Sequence, residues 1–291
     1  MPQAYRLTRR RFLMMLPALT LPGRSSAATM TATHGLPADP RLIRAGKGTV
    51  SAISDGDTVT LAGGTIVRLV GIQAPKIALG RRHFAPWPLG QPARDYMKTL
   101  AMNRGFSLFS GGREYDRHGR RLAHMVREED GLWLQGEMLR AGLARVYTFA
   151  DNRALAARML AIEAAARARR TGIWAHPFYA IRRPGEAGRL VGTFQIFRAC
   201  TSGFHQQGRS AILALTDAGE IKDTAESGRN APALAARVTA RALRMMSADF
   251  RAALATRGRR LRLRGWIGRE NGARGGPVVT VTHPEQIEWI V

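Results

Sequence analysis

At 291 residues the chain exceeds one average domain and can bury a sizeable core, so two modest domains are expected. A hydrophobic fraction of 45% without an extended low-complexity tract excludes a disordered body, and the lone cysteine, Cys200, excludes an intramolecular disulfide and a cysteine-built metal site. The 45 Lys and Arg against 21 Asp and Glu give a formal charge of +24, which favours polyanions: nucleic acid, acidic lipid headgroups or an anionic envelope polymer.

In chain order, Thr8-Arg9-Arg10-Arg11-Phe12-Leu13 has the form of a twin-arginine export motif and leads into an apolar run, Phe12 to Leu21, too short to span a bilayer. Pro22-Gly23-Arg24 breaks that run, and Ser26-Ala27-Ala28 supplies small residues for a signal peptidase. Residues 1–28 are therefore expected to be a signal peptide cleaved after Ala28, which places the mature chain in the periplasm or outside the cell. Its removal takes five arginines and no acid from the +24, leaving +19.

Polar residues with Gly and Pro over 29–47 read as a linker, and the folded body is expected from Gly48. Short β-favouring runs follow at Gly48 to Ile53, Thr58 to Leu61 and Ile66 to Val70, separated by Asp55-Gly56-Asp57 and Ala62-Gly63-Gly64, both turn chemistries of a meander. The spacing of Ala93, Met97 and Leu100 predicts a helix over Gln91 to Met102. Strands are expected at Phe106 to Phe109 and Arg121 to Val126, and helices at Leu134 to Ala141 and Arg153 to Arg170, the last stopped by Gly172.

Pro177, Pro184, Gly185 and Gly188 mark a second linker, 177–187. Beyond it, strands are expected at Gly188 to Ala199 and Arg209 to Thr216, one long helix at Ala231 to Thr256, and a hairpin of Arg260 to Ile267 with Pro277 to Val281 around Asn271-Gly272. The expected architecture is α+β: a barrel-like first domain with packed helices, and over 188–291 a small β-barrel-like domain with one long helix, of the oligonucleotide/oligosaccharide-binding (OB) type.

Three motifs occur in a fixed order: Asp55-Gly56-Asp57-Thr58, then Arg68-Leu69-Val70-Gly71-Ile72-Gln73-Ala74-Pro75-Lys76, then Asp116-Arg117-His118-Gly119-Arg120. With Gly90 through Leu100, Leu143-Ala144-Arg145-Val146 and Gly172-Ile173-Trp174, the stretch 48–176 resembles the staphylococcal nuclease (thermonuclease) family. The resemblance implies a five-stranded OB-type barrel with packed helices. It also implies calcium-dependent hydrolysis of nucleic-acid phosphodiesters, in which carboxylates hold the ion and two arginines grip the phosphate.

Carried over by position, Asp57 falls on the first metal aspartate, Arg68 on the first phosphate arginine and Arg120 on the second. The second metal aspartate falls on Gln73, the following threonine-type position on Ala74, and the proposed general base on Lys76. Calcium takes six to eight oxygens and favours carboxylates, so a residual site on Asp57 with the Gln73 amide, repelled by the Lys76 ammonium, is poor. A protonated lysine cannot take a proton from water. Arg68, Lys76 and Arg120 would instead make an unneutralised phosphate pocket, or the arginines could pair with Asp55, Asp57 or Glu114 and hold turns. The leading expectation is an exported nucleic-acid or phosphate-polymer binder with hydrolysis weak or lost. The alternatives are an active metal-dependent endonuclease with Arg68 and Arg120 as its catalytic phosphate contacts and Ca2+ as its ion, and an envelope scaffold.

His83, His118 and His124 follow no metal-ligand spacing. The Arg81 to Trp87 loop could stack on bases or pack, and Arg259, Arg260, Arg262 and Arg264 with Trp266 could form a polyanion groove or a solvated strand face.

Overall fold

The structure, a computed structural model, describes residues 35–80, 82–217, 233–270 and 275–290. The export motif, its cleavage site and the Asn271-Gly272 turn lie outside the described residues. The described residues form one compact unit.

The first half closes a barrel from β1 (Ile43–Asp55), β2 (Thr58–Leu61), β3 (Ile66–Leu69), β5 (Gly105–Ser110) and β6 (Arg121–Arg127), in the order β1-β2-β3-β6-β5. All pairings are antiparallel except β3 with β6. Alternation carries the closure: in β5 Phe106, Leu108 and Ser110 point inward while Gly105, Ser107 and Phe109 are half-buried. β1 begins at Ile43, five residues before the expected Gly48, because Ile43 and Arg44 already pair with Ser110 and Phe109.

A short ladder of β4 (Ile72–Gln73) and β7 (Arg145–Val146), unforeseen in the sequence, lies beside the barrel. Helix α1 (Gly90–Ala101) buries Ala93, Met97 and Ala101 at a helical spacing, and α2 (Leu134–Arg140) and α3 (Ala156–Ala168) complete this core around Trp133, Leu69 and Met125. Gly71 makes the turn from β3 to β4 at φ 83°, and a Cβ there would sit 2.4 Å from the Met159 methyl, so both conformation and packing require glycine.

The second half contains β8 (Phe194–Gln207), β9 (Ser210–Thr216), β10 (Leu234–Val238), β11 (Arg260–Arg269), β12 (Pro277–Val281) and β13 (Ile287–Trp289). The sheet runs β12-β10-β9-β8-β11-β13, and β12 also pairs with β11, so five strands return on themselves around a second apolar cluster. This ring has the pattern of the first: three antiparallel strands, one parallel step (β10 with β12), then two antiparallel closures. A second barrel-like sheet is therefore present.

The long helix expected over Ala231 to Thr256 is not formed. Leu234–Val238 is strand β10, between β12 and β9, and the helical remainder splits into α4 (Ala240–Met245) and α5 (Ala248–Ala255). Pairing with β9 and β12 overrides the Ala/Arg helix propensity. The split is local chemistry: Thr239 Oγ1 accepts from Ala242 N at 3.2 Å and Ser247 Oγ from Phe250 N at 3.1 Å, so each hydroxyl starts its own helix.

The expected strand from Gly188 begins instead at Phe194, after a 3-10 turn over Pro184–Leu190 that buries Ala187. Within 177–187, Tyr179 is buried and donates to Pro88 O at 2.6 Å, while Arg182 N bonds Ile196 O at 2.8 Å. The two halves also meet through buried charge. Glu163 on α3 accepts from Arg264 on β11 at 2.7 Å, and Glu288 on β13 joins Arg167 at 3.2 Å and Arg262 at 2.5 Å. His283 bonds Thr148 at 2.8 Å, and Arg153 ties to Glu285 at 2.5 Å.

Candidate functional site

The sequence Asp55-Gly56-Asp57 forms the β1–β2 turn, with Asp57 N bonded to Asp55 Oδ1 at 3.1 Å, and it places both carboxyls against the chain that leaves β3. Gly56 permits this approach, since a Cβ there would lie 2.7 Å from the Ala74 Cβ. Asp57 is fully buried. Its oxygens receive Ala74 N at 2.7 Å, Thr58 Oγ1 at 3.1 Å and Lys76 Nζ at 2.8 Å from each oxygen, with the Arg68 guanidinium at 3.3 Å. A carboxylate offers about four lone-pair positions, so Asp57 has none left for an ion.

The Lys76 ammonium also bonds Asp55 at 3.0 Å. The expected unneutralised cation is therefore compensated twice: Lys76 occupies the place between the acids where a cation would be held. Burial alone pushes the Asp57 carboxyl up, but Arg68 and Lys76 outweigh it and hold the group well below the ordinary carboxylate range. Asp55 is shifted upward by burial and by the neighbouring Asp57 charge, with Lys76 opposing.

Gln73 does not face these acids. Its Oε1 accepts from Arg145 Nε at 3.0 Å and from a terminal nitrogen at 2.8 Å. Arg145 is itself buried, pushed down to about 10 by desolvation, and stacked against Phe194 at 4.4 Å and Trp87 at 5.5 Å. Ala74 offers only its buried methyl and the amide spent on Asp57. Among the described residues no group of three His, Cys, Asp or Glu side chains is arranged to hold a metal. The donor set does not fit the calcium ion implied by the resemblance, because the carboxylate is saturated, the amide is turned away and an ammonium holds the centre.

Arg68 is directed inward, donating to Leu69 O and Ile72 O, each at 2.6 Å, and to Asp57 O at 3.3 Å. It still lines a cleft of about 470 Å3, together with Lys76 and Arg120. Arg120 is partly exposed and paired with Asp116 at 2.6 Å; burial raises the Asp116 carboxyl, but the Arg120 bonds leave it below its ordinary value. The cleft brings in two cations that position-by-position carry-over missed, Arg113 and the exposed Arg117, along with Tyr147 and Phe149. Five basic side chains line it, but Asp55 and Asp57 compensate Lys76 and Arg68, Asp116 pairs with Arg120 and Asp151 with Arg113 at 3.0 Å, so the net cationic excess of the cleft rests on Arg117. Arg113 precedes the third motif and Arg117 lies within it, and the local density of Arg over 113–121 is the one signal that could have found their role.

The remaining candidates separate from this cleft, apart from His118. His118 lies on its rim and is exposed; His83 is exposed elsewhere. His124 is buried against Trp133 and pushed down to about 3 by desolvation, so it is neutral and structural. Trp87 packs on Phe178 at 6.0 Å, and Arg262 and Arg264 are spent on Glu288 and Glu163, so neither is open to a polyanion, whereas Arg259 and Arg260 are exposed.

Residues 66–176 match the family model described as Staphylococcal nuclease homologue, from β3 through the turn after α3. No curated protein matches the chain. The motif order, the closed five-stranded barrel and this match agree: the chain carries a domain of the staphylococcal nuclease homologue family over residues 66–176.

Proposed function

We propose that this is an exported nucleic-acid-binding or phosphate-polymer-binding protein of the nuclease fold, in which an internal ammonium has replaced the family's ion and hydrolysis is weak or lost. The observation that carries this reading is Lys76 Nζ at 2.8 Å from both Asp57 oxygens and 3.0 Å from Asp55. A fixed cation there satisfies the acids without offering the open coordination positions that activate a water. Phosphate contact then falls to Arg120, Arg117 and Arg113 at the open side of the cleft, while Asp55 and Asp57 compensate the charges of Arg68 and Lys76 on its floor. Export is supported by the twin-arginine pattern ahead of Ala28.

The test is cleavage of single- and double-stranded DNA with calcium and with chelator, beside salt-dependent binding of the same DNA, in the wild type and in Arg120→Gln. Binding without turnover that weakens in Arg120→Gln supports the reading. Calcium-dependent cutting that disappears in Arg120→Gln overturns it in favour of an active nuclease, and neither binding nor cutting favours a scaffold.

A further inference from the structure

Tyr147 and Phe149 leave β7 along the cleft wall, their rings edge-to-face at 4.8 Å, and both line the cleft. Tyr147 also meets Phe194 of the second barrel at 5.1 Å, and Phe194 meets Trp266 at 6.3 Å. Trp266 Nε1 donates to the Tyr147 hydroxyl at 2.9 Å, so the indole is held by its edge against a residue that lines the cleft. Trp266 is 47% exposed and Phe149 48%, whereas Gly265 and Ile267 beside Trp266 are buried, so β11 turns its largest side chain outward. Two exposed rings, Phe149 and Trp266, on either side of the half-buried Tyr147 and beside arginines match an unpaired polynucleotide: each base has a face to stack, while a duplex keeps its bases inside.

We propose that a single nucleic-acid strand runs from the arginine-lined cleft past Phe149 and Tyr147 onto Trp266, so that the second barrel extends the binding site of the first. This rests on the reading of the cleft as a phosphate site. Stacking on an aromatic side chain is insensitive to base identity and carries about tenfold in affinity for each base engaged.

The experiment compares thymidine monophosphate with oligothymidylate of about eight nucleotides, a length one OB barrel accommodates. Both are titrated against full-length wild type, Trp266→Ala, Trp266→Phe and Arg120→Gln by tryptophan fluorescence and by competition, with circular dichroism confirming each fold. The expected result is an oligonucleotide affinity about tenfold lower in Trp266→Ala, largely retained in Trp266→Phe, with monophosphate binding unchanged in both. Wild-type oligonucleotide affinity in Trp266→Ala overturns the proposal. So does an equal loss for both ligands, since Trp266 would then act only by holding Tyr147. Arg120→Gln reports on the cleft separately: unchanged binding of both probes there defeats the phosphate-site reading, whereas weakened binding there with a wild-type Trp266→Ala defeats the aromatic track alone.

Discussion

The two barrels share a strand order, including the single parallel step, yet they spend their arginines in opposite ways. In the first, Arg113, Arg117 and Arg120 line an open cleft beside a turn that holds two acids. In the second, Arg264 of β11 is buried on Glu163 of the first half, and Arg262 pairs within the barrel with Glu288, which also holds Arg167 of the first half, so these charges weld the halves together. The same topology thus yields a site in one place and an interface in another, and what differs is the chemistry of loops and strand faces.

That comparison can be broken most directly at its buried pair. Glu163→Gln should cost about 3–5 kcal/mol, because Arg264 would keep its charge out of water without a full partner. Calorimetry would show the loss as a lower melting temperature, and pairing Glu163→Leu with Arg264→Met should recover much of it.

Next in size, Lys76→Met in the first barrel should cost about 2–3 kcal/mol, since Asp55 and Asp57 would face each other with only Arg68 nearby. Denaturant unfolding would measure it. Calcium should raise the stability of Lys76→Met more than that of the wild type if the ammonium stands where an ion would be held.

Acid sharpens the contrast further. The His124 base is lowered to about 3 and the His283 base to about 4, both chiefly by burial, so below pH 6.5 the unfolded chain binds protons that the folded chain refuses. Stability should fall as pH drops from 6.5, by about 1.4 kcal/mol per pH unit for each histidine, until His283 protonates near 4 and His124 near 3. Asp57, depressed in the fold, adds stability that is present above the ordinary aspartate pKa and lost as pH falls below it. Urea midpoints across pH 3–7 should lose much of this slope in His124→Phe.

The smallest stability effect belongs to the open cleft. Arg120→Gln should change stability by about 0.5 kcal/mol or less, because its pair with Asp116 is partly solvated. It should nonetheless weaken DNA binding and reduce the salt slope by about one.

Much of the first barrel was legible in the sequence because its signals are local. Asp-Gly-Asp turns, alternating strands and a helix marked by Ala93 and Met97 each specify themselves within a few residues. β10 was not legible, since Leu234–Val238 differs from a helix only through the strands on either side. Thr239 and Ser247 did carry a signal: they mark two helix starts where uniform Ala/Arg composition suggested one.

The sequence by itself determined the family resemblance, the cationic charge and the presence of Gln73 and Lys76 where that resemblance implies acids, because identity and order in the chain are enough for these. Only the tertiary structure decided that Lys76 neutralises Asp55 and Asp57, that Arg145 turns Gln73 away, and that Trp266 reaches Tyr147. Each joins residues distant along the chain, and whether a charge is free, paired or buried depends on neighbours that folding alone brings together.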